Sequence, residues 1–183
     1  MPGMKSRAAI AAAILGFPAA PAAAAAPPTL GCVGLTIGRP MMRMLGENAL
    51  RRNDGEPAER VDRELDAVAR AADACRRRHG WSDAAAATAA MWTLTSARLD
   101  AVADALEREG VPPMRAGEVV GRLSAADRDG LVREPISPVA LNALRRLAVE
   151  ARLPTEGIVA HHFVWFTIML IKEDRERASF ASL

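Results

Sequence analysis

His161 and His162 are the residues that most invite chemistry in this 183-residue chain, which has three histidines and no tyrosine. A histidine can carry a proton, ligate a metal or contact an anionic ligand. Adjacent residues of a helix point about 100° apart, so these two cannot both reach one metal ion from one helix. Paired helical ligands stand four apart, as in H-E-x-x-H. Glu156, the nearest carboxylate in sequence, precedes His161 by five positions and shares its face poorly. No metal site is expected. The simpler account packs one histidine in the core and leaves the other at its edge, with both retained as possible ligand contacts. Arg98 is the third such residue. It stands four positions from Leu94 and from Val102, beside a stripe that reads as buried. An arginine there needs a carboxylate, an anionic ligand or a route to water along the edge of the stripe.

Other clusters have simpler explanations. Arg76-Arg77-Arg78 falls in the last turn of a predicted helix, where cations complement the helix dipole. Asp127-Arg128-Asp129-Gly130 has the alternating acids of a calcium loop, but Ala125 and Ile136 occupy the outer positions where acids are required. A helix N-terminal turn accounts for it. Met41, Met42 and Met44 suit core packing better than soft-metal binding. The chain has no G-x-S-x-G, no C-x-x-C-H and no glycine-rich phosphate loop. No catalytic residue and no cofactor is therefore named.

The ends and the cysteines bear on compartment. Lys5 and Arg7 precede the apolar stretch Ala8 to Phe17, and Ala24-Ala25-Ala26 offers an A-x-A cleavage site. In that order these parts form a secretory signal peptide, residues 1–26. The apolar stretch is shorter than the roughly 20 residues of a spanning helix. Loss of Lys5 and Arg7 takes the formal charge from +2 to zero, which argues against a nucleic-acid partner. The only cysteines are Cys32 and Cys75. In an oxidising compartment they form one possible bridge, closing a loop of about 43 residues and stabilising by about 2–4 kcal/mol. Lipidation at Cys32 is the weaker alternative, because Thr29 stands where a lipobox wants leucine and four prolines separate the cysteine from the apolar stretch.

The elements that must position these residues are helical. Val61, Leu65, Val68, Ala72, Cys75 and His79 alternate at spacings of four and three, predicting a helix over 57–79 that stops at Gly80. Ser82 or Asp83 caps a second helix, which carries Trp81, Ala85, Thr88, Trp92, Thr95, Leu99, Val102 and Leu106 on one face and ends at Gly110, where Val111-Pro112-Pro113 is expected to prevent a restart. The short link between them predicts an antiparallel pair. Residues 112–136 are broken by Gly117, Gly121 and Gly130, with a short helix at about 125–133 behind Ser124. Ser137-Pro138 starts a further helix, and Thr155 caps the last, over 156–172. Its stretch GIVAHHFVWFTIMLI is apolar on nearly every side. Such a helix is central to a core or buried in a partner; at 157–171 it is too short to span a membrane.

The expected architecture is an all-α bundle of four to six helices around that apolar C-terminal helix. An N-terminal segment, 27–55, holds a short helix at 38–52; the helical domain covers 56–178; residues 179–183 fray. The expected function is a non-catalytic binding or interaction protein of the bacterial cell envelope, periplasmic or secreted, with a protein or small-molecule partner and a possible homodimer through the last helix. The alternative is a small exported enzyme acting on an anionic metabolite, similar in kind to exported chorismate mutases although no motif matches. It would need arginines converging inside the bundle, for which Arg98 and Arg43 are the candidates. Intact-mass measurement on protein from its own envelope checks this reading: the expected chain begins at Pro27 and gains two hydrogens on reduction. A chain beginning at Cys32 with acyl mass would replace the bridge with a lipid anchor.

Overall fold

The computed structural model describes residues 29–51 and 58–183. The expected signal peptide and the start of the first long helix at Pro57 lie outside the described residues, as does the side chain of Val61. The described residues form seven helices and no strand: α1 Cys32–Arg51, α2 Ala58–His79, α3 Asp83–Arg108, α4 Pro113–Gly121, α5 Ala125–Leu131, α6 Pro138–Glu150 and α7 Gly157–Ala181. None of these helices is long and apolar enough to cross a membrane.

Local chemistry explains most of the boundaries. The Ser82 hydroxyl accepts from the Ala85 amide at 3.1 Å and Ser124 from Asp127 at 3.1 Å, while Ser137 caps toward Ala140 at 3.5 Å. Each satisfies an orphan donor of a first turn. Three expectations are corrected. Val111-Pro112-Pro113 does not prevent a restart; Pro113 opens α4, because a first-turn proline lacks only an amide that would be unpaired anyway. Thr155 does not cap α7, whose N-cap is Glu156, without a side-chain bond. Residues 179–183 do not fray as a unit: α7 continues to Ala181 and Phe180 is fully buried, its ring edge-on to Trp81 with centroids 5.2 Å apart.

The expected short helix at 38–52 is longer, starting at Cys32 and kinked at Gly38. Gly38 has φ of 80°, open to glycine without penalty, and Pro40 lacks the amide a straight helix would use there. The extra turns carry Cys32 into the core, where it is bonded to Cys75 of α2. At the other end of the same helix pair, Asn48 Nδ2 donates to the buried Glu64 carboxylate. Disulfide and hydrogen bond together fix α1 antiparallel to α2. Glu64 also shows that the buried face of α2 is rotated from the predicted one: Glu64, Val68, Ala71, Ala72 and Cys75 face inward, and Leu65 and His79 are exposed.

The central helix is α3, on which α1, α2, α4 and α7 all pack. Most of its buried residues are small: Ala85, Ala86, Ala89, Ala97, Ala101 and Ala105, with Thr93, Thr95 and Ser96; Val102 and Leu106 are the larger exceptions, toward its C-terminal end. An alanine stripe lets neighbouring backbones come close, so one helix can serve several partners. α7 supplies large apolar side chains of the core, as expected, while α3, slimmer for its alanines, takes the larger number of helix partners. α7 runs antiparallel to α3, with Phe180 near Trp81 and His162 beside Glu109 at the opposite end. It buries Phe163, Phe166 and Met169 while Ile158 and Trp165 reach solvent. The short helices α4, α5 and α6 close the core over the second half of α3.

The approach of α1 to α3 is tightest at Gly46. A Cβ there would lie 2.3 Å from the Ala97 carbonyl oxygen and 2.8 Å from the Ala101 Cβ. Gly46→Ala is therefore expected to destabilise by about 1–3 kcal/mol or more through overpacking. Gly117→Ala, with nothing within 4 Å of its new methyl, should be neutral or stabilising by up to about 1 kcal/mol. Urea titrations of the two variants check this; equal effects would disprove close packing at Gly46.

Candidate functional site

Arg98 and Val102 are one turn apart on α3, and Ile158, His161 and Trp165 recur at helical spacing on α7. With Ala49, Leu50 and His162 they line one cleft of about 280 Å³ between α1, α3 and α7. That volume is at the small end of ligand pockets, which run about 300–1,000 Å³. All three predicted ligand contacts, Arg98, His161 and His162, thus come together, although they arise on two helices more than 60 residues apart in sequence. Arg43 does not join them; it is exposed on α1 outside the cleft.

The two histidines divide as helix geometry requires. His161 is exposed, with its ring 6.3 Å from that of Trp165 and steeply tilted to it. The His162 side chain is only 17 % exposed, and its Nδ1 lies 3.0 and 3.1 Å from the two carboxylate oxygens of Glu109. Sequence reasoning missed Glu109. It considered carboxylates near the histidines in sequence, and this one stands 53 positions earlier, at the far end of α3. It also missed Trp165 and Ile158, although 158, 161 and 165 are spaced to share a face. Among the described residues, no three His, Cys, Asp or Glu side chains converge closely enough to hold a metal ion.

Below the cleft, α3 and α7 are joined by polar contacts. Ser96 Oγ donates to Glu173 at 3.1 Å and Thr95 Oγ1 to Glu176 at 3.1 Å. Arg177 pairs with Glu173 at 3.2 Å. The second Glu176 oxygen is buried without a hydrogen-bond partner among the described residues. Burial pushes the Glu176 carboxyl above the usual carboxylate range, against the Thr95 hydrogen bond and the positive charges of Lys172 and Arg98, while Glu173 adds to the rise. Asp100 is also raised, by burial first and then by Asp104 and Glu173. Arg98 therefore belongs to both regions: it lines the cleft and its charge reaches Glu176.

A second depression, about 320 Å³, lies between α4, α5 and α7. Its cations are already engaged in the structure: Arg128 Nη2 caps the carbonyls of Val120 and Gly121 at 3.3 and 3.1 Å, and Arg175 is paired with Asp129. The three-arginine run ends α2 as expected, with Arg76 and Arg77 both on Asp73. Asp127 is bonded to Ser124 in a helix first turn rather than a calcium loop.

No protein-family model matches the chain, and no curated protein or solved structure matches it. The site is therefore read from its own geometry.

The raised Glu176 makes a signed prediction. A carboxyl whose folded pKa is raised lets the folded state hold its proton to higher pH than the unfolded state does. Its stabilising contribution is complete below the unfolded value of 4.5 and is lost as pH rises through the folded value. Glu176→Gln keeps an acceptor for Thr95 and removes the ionisation. The variant should melt higher than the wild type at neutral pH, with the gap closing as pH falls toward 4.5. Paired melting curves across that range measure it, and a gap that widens on acidification would reverse the assignment.

Proposed function

We propose that this protein is an exported, non-catalytic binding protein of the bacterial cell envelope, and that the cleft between α1, α3 and α7 takes a small amphipathic anion. The observation that carries the reading is the convergence of Arg98, His161 and His162 on a cleft otherwise lined by Ala49, Leu50, Val102, Ile158 and Trp165. Guanidinium offers five donors and no acceptor, so it can share a carboxylate or phosphate with other partners. The apolar lining suits a hydrocarbon or aromatic body. A largely apolar concavity with a few convergent polar groups is the usual form of a small-molecule site. Export is supported by the order of Lys5, Arg7, Ala8–Phe17 and Ala24–Ala26, and agrees with the Cys32–Cys75 disulfide.

Binding is favoured over catalysis because the cleft lining includes no serine, cysteine or carboxylate to act as nucleophile, and only one arginine. An enzyme acting on an anionic metabolite would need a second cation, and Arg43 stands elsewhere. A homodimer through α7 is the competing use of this surface, motivated by Ile158 at 61 % and Trp165 at 40 % exposure. A dimer would bury the rim of the cleft.

Titration with 2-naphthoate, followed by backbone amide NMR, tests the reading. At about 0.3 kcal/mol or more per ligand heavy atom, the Kd should be on the order of 1 mM or tighter. Saturable shifts should centre on Arg98, Val102, Ile158, His161 and Trp165. Ala49→Trp, which fills the cleft from the half-buried side of α1, should abolish them without lowering the melting temperature. Absent or scattered shifts would defeat the reading, and concentration-dependent sedimentation in their place would favour the dimer.

A further inference from the structure

We infer that the cleft requires a hydrogen-bond donor on its ligand, recognised by Nε2 of His162, and that Glu109 is the positioning residue that makes this nitrogen an acceptor. The inference rests on the cleft being a ligand site. It narrows the ligand from an amphipathic anion to one that also bears a hydroxyl or N–H: a hydroxylated amphipathic acid.

The argument starts from the Glu109–His162 pair. Both carboxylate oxygens face Nδ1, at 3.0 and 3.1 Å. A carboxylate only accepts, so Nδ1 carries the hydrogen. In the neutral ring the other nitrogen then has a lone pair and no hydrogen. Free histidine leaves its tautomer to the solvent, whereas His162 has its tautomer chosen for it. Nε2 bonds to none of the described residues, and the ring that carries it lines the cleft while keeping 17 % exposure. One fixed acceptor is thus presented to a space whose other polar side chains are Arg98, which only donates, and His161, whose tautomer no hydrogen bond to a described residue selects.

The placement of Glu109 adds weight. It is the C-cap residue of α3, with φ of −90° and ψ of 6°. A negative charge at a helix C-terminus is opposed by the helix dipole, so α3 gains nothing from an acid there. Its partner is His162, which is itself held by a packed helix: the neighbouring Phe163 and Phe166 are buried. The ring is therefore oriented from both sides. A ligand that buries Nε2 without offering a donor would strip that nitrogen of water and return no hydrogen bond. Sites built around such a bond discriminate against analogues that lack it.

The test compares 6-hydroxy-2-naphthoate with 6-methoxy-2-naphthoate on the full disulfide-bonded chain, at a pH where the ring nitrogen shifts show His162 neutral. The hydroxy compound should bind about tenfold more tightly, the order set by one hydrogen bond. The nitrogen spectrum should show Nδ1 protonated and Nε2 bare. Glu109→Leu should let His162 revert toward the Nε2–H form and bring the two affinities together. Glu109→Gln, which keeps an accepting oxygen, should preserve both tautomer and preference. Equal binding of the two compounds by the wild type would overturn the inference and leave the ligand site standing. A preference that survives Glu109→Leu would overturn the role of Glu109. Loss of all naphthoate binding would remove the ligand site and the inference with it.

Discussion

The whole arrangement depends on the small-residue surface of α3. Four helices pack against it, and that is possible because its buried positions are mostly alanine, threonine and serine. At Gly46 the α1 backbone comes so near that even a methyl group would meet the Ala97 carbonyl. Close approach increases dispersion contacts between backbones. It also limits what a side chain can do there: the larger groups of α1 and α7 must fill space beside α3 rather than over it. The cleft forms where that filling is incomplete, between the C-terminal part of α1 and the N-terminal part of α7.

Two sets of ties hold the geometry in register. Cys32–Cys75 and Asn48–Glu64 join α1 to α2 at opposite ends, so α1 can neither slide nor tilt freely over α3. On the other side, Ser96–Glu173 and Thr95–Glu176 join α3 to α7, and Glu109–His162 joins them again one end further on. Buried polar bonds between helices contribute little net stability when satisfied and cost much when broken. Their effect is to select one register among many that an alanine surface would otherwise allow. The same bonds orient the residues of the cleft, so the packing that holds the bundle also prepares the site.

Much of the fold was legible. The capping serines Ser82, Ser124 and Ser137 marked three helix starts, and the four-three rhythm marked α2 and α3. Those signals are local: a cap and its amide are neighbours in sequence. The misreadings were also physical. Val111-Pro112-Pro113 reads as a barrier because proline breaks helices from within, but Pro113 begins α4 as readily. The apolar run of α7 reports a wish for burial, which the core meets, but not that α3 is the helix providing most of the contact. On α2 the periodicity points Leu65 inward while Glu64 is the buried residue, since a period leaves a rotation of one residue undecided.

By itself, the sequence determined the helical class, most helix boundaries and the one possible partner for each cysteine, because these follow from short-range hydrogen bonding, periodicity and the presence of just two thiols. It also supplied Arg98, His161 and His162 as residues in need of an explanation. Only the tertiary structure decided that α3 is central, that Glu109 is the partner of His162, and that Trp165 and Leu50 share a cleft with Arg98. Those facts depend on which helix faces meet. That choice is made by steric fit, as at Gly46, between segments whose distance along the chain leaves no periodic trace.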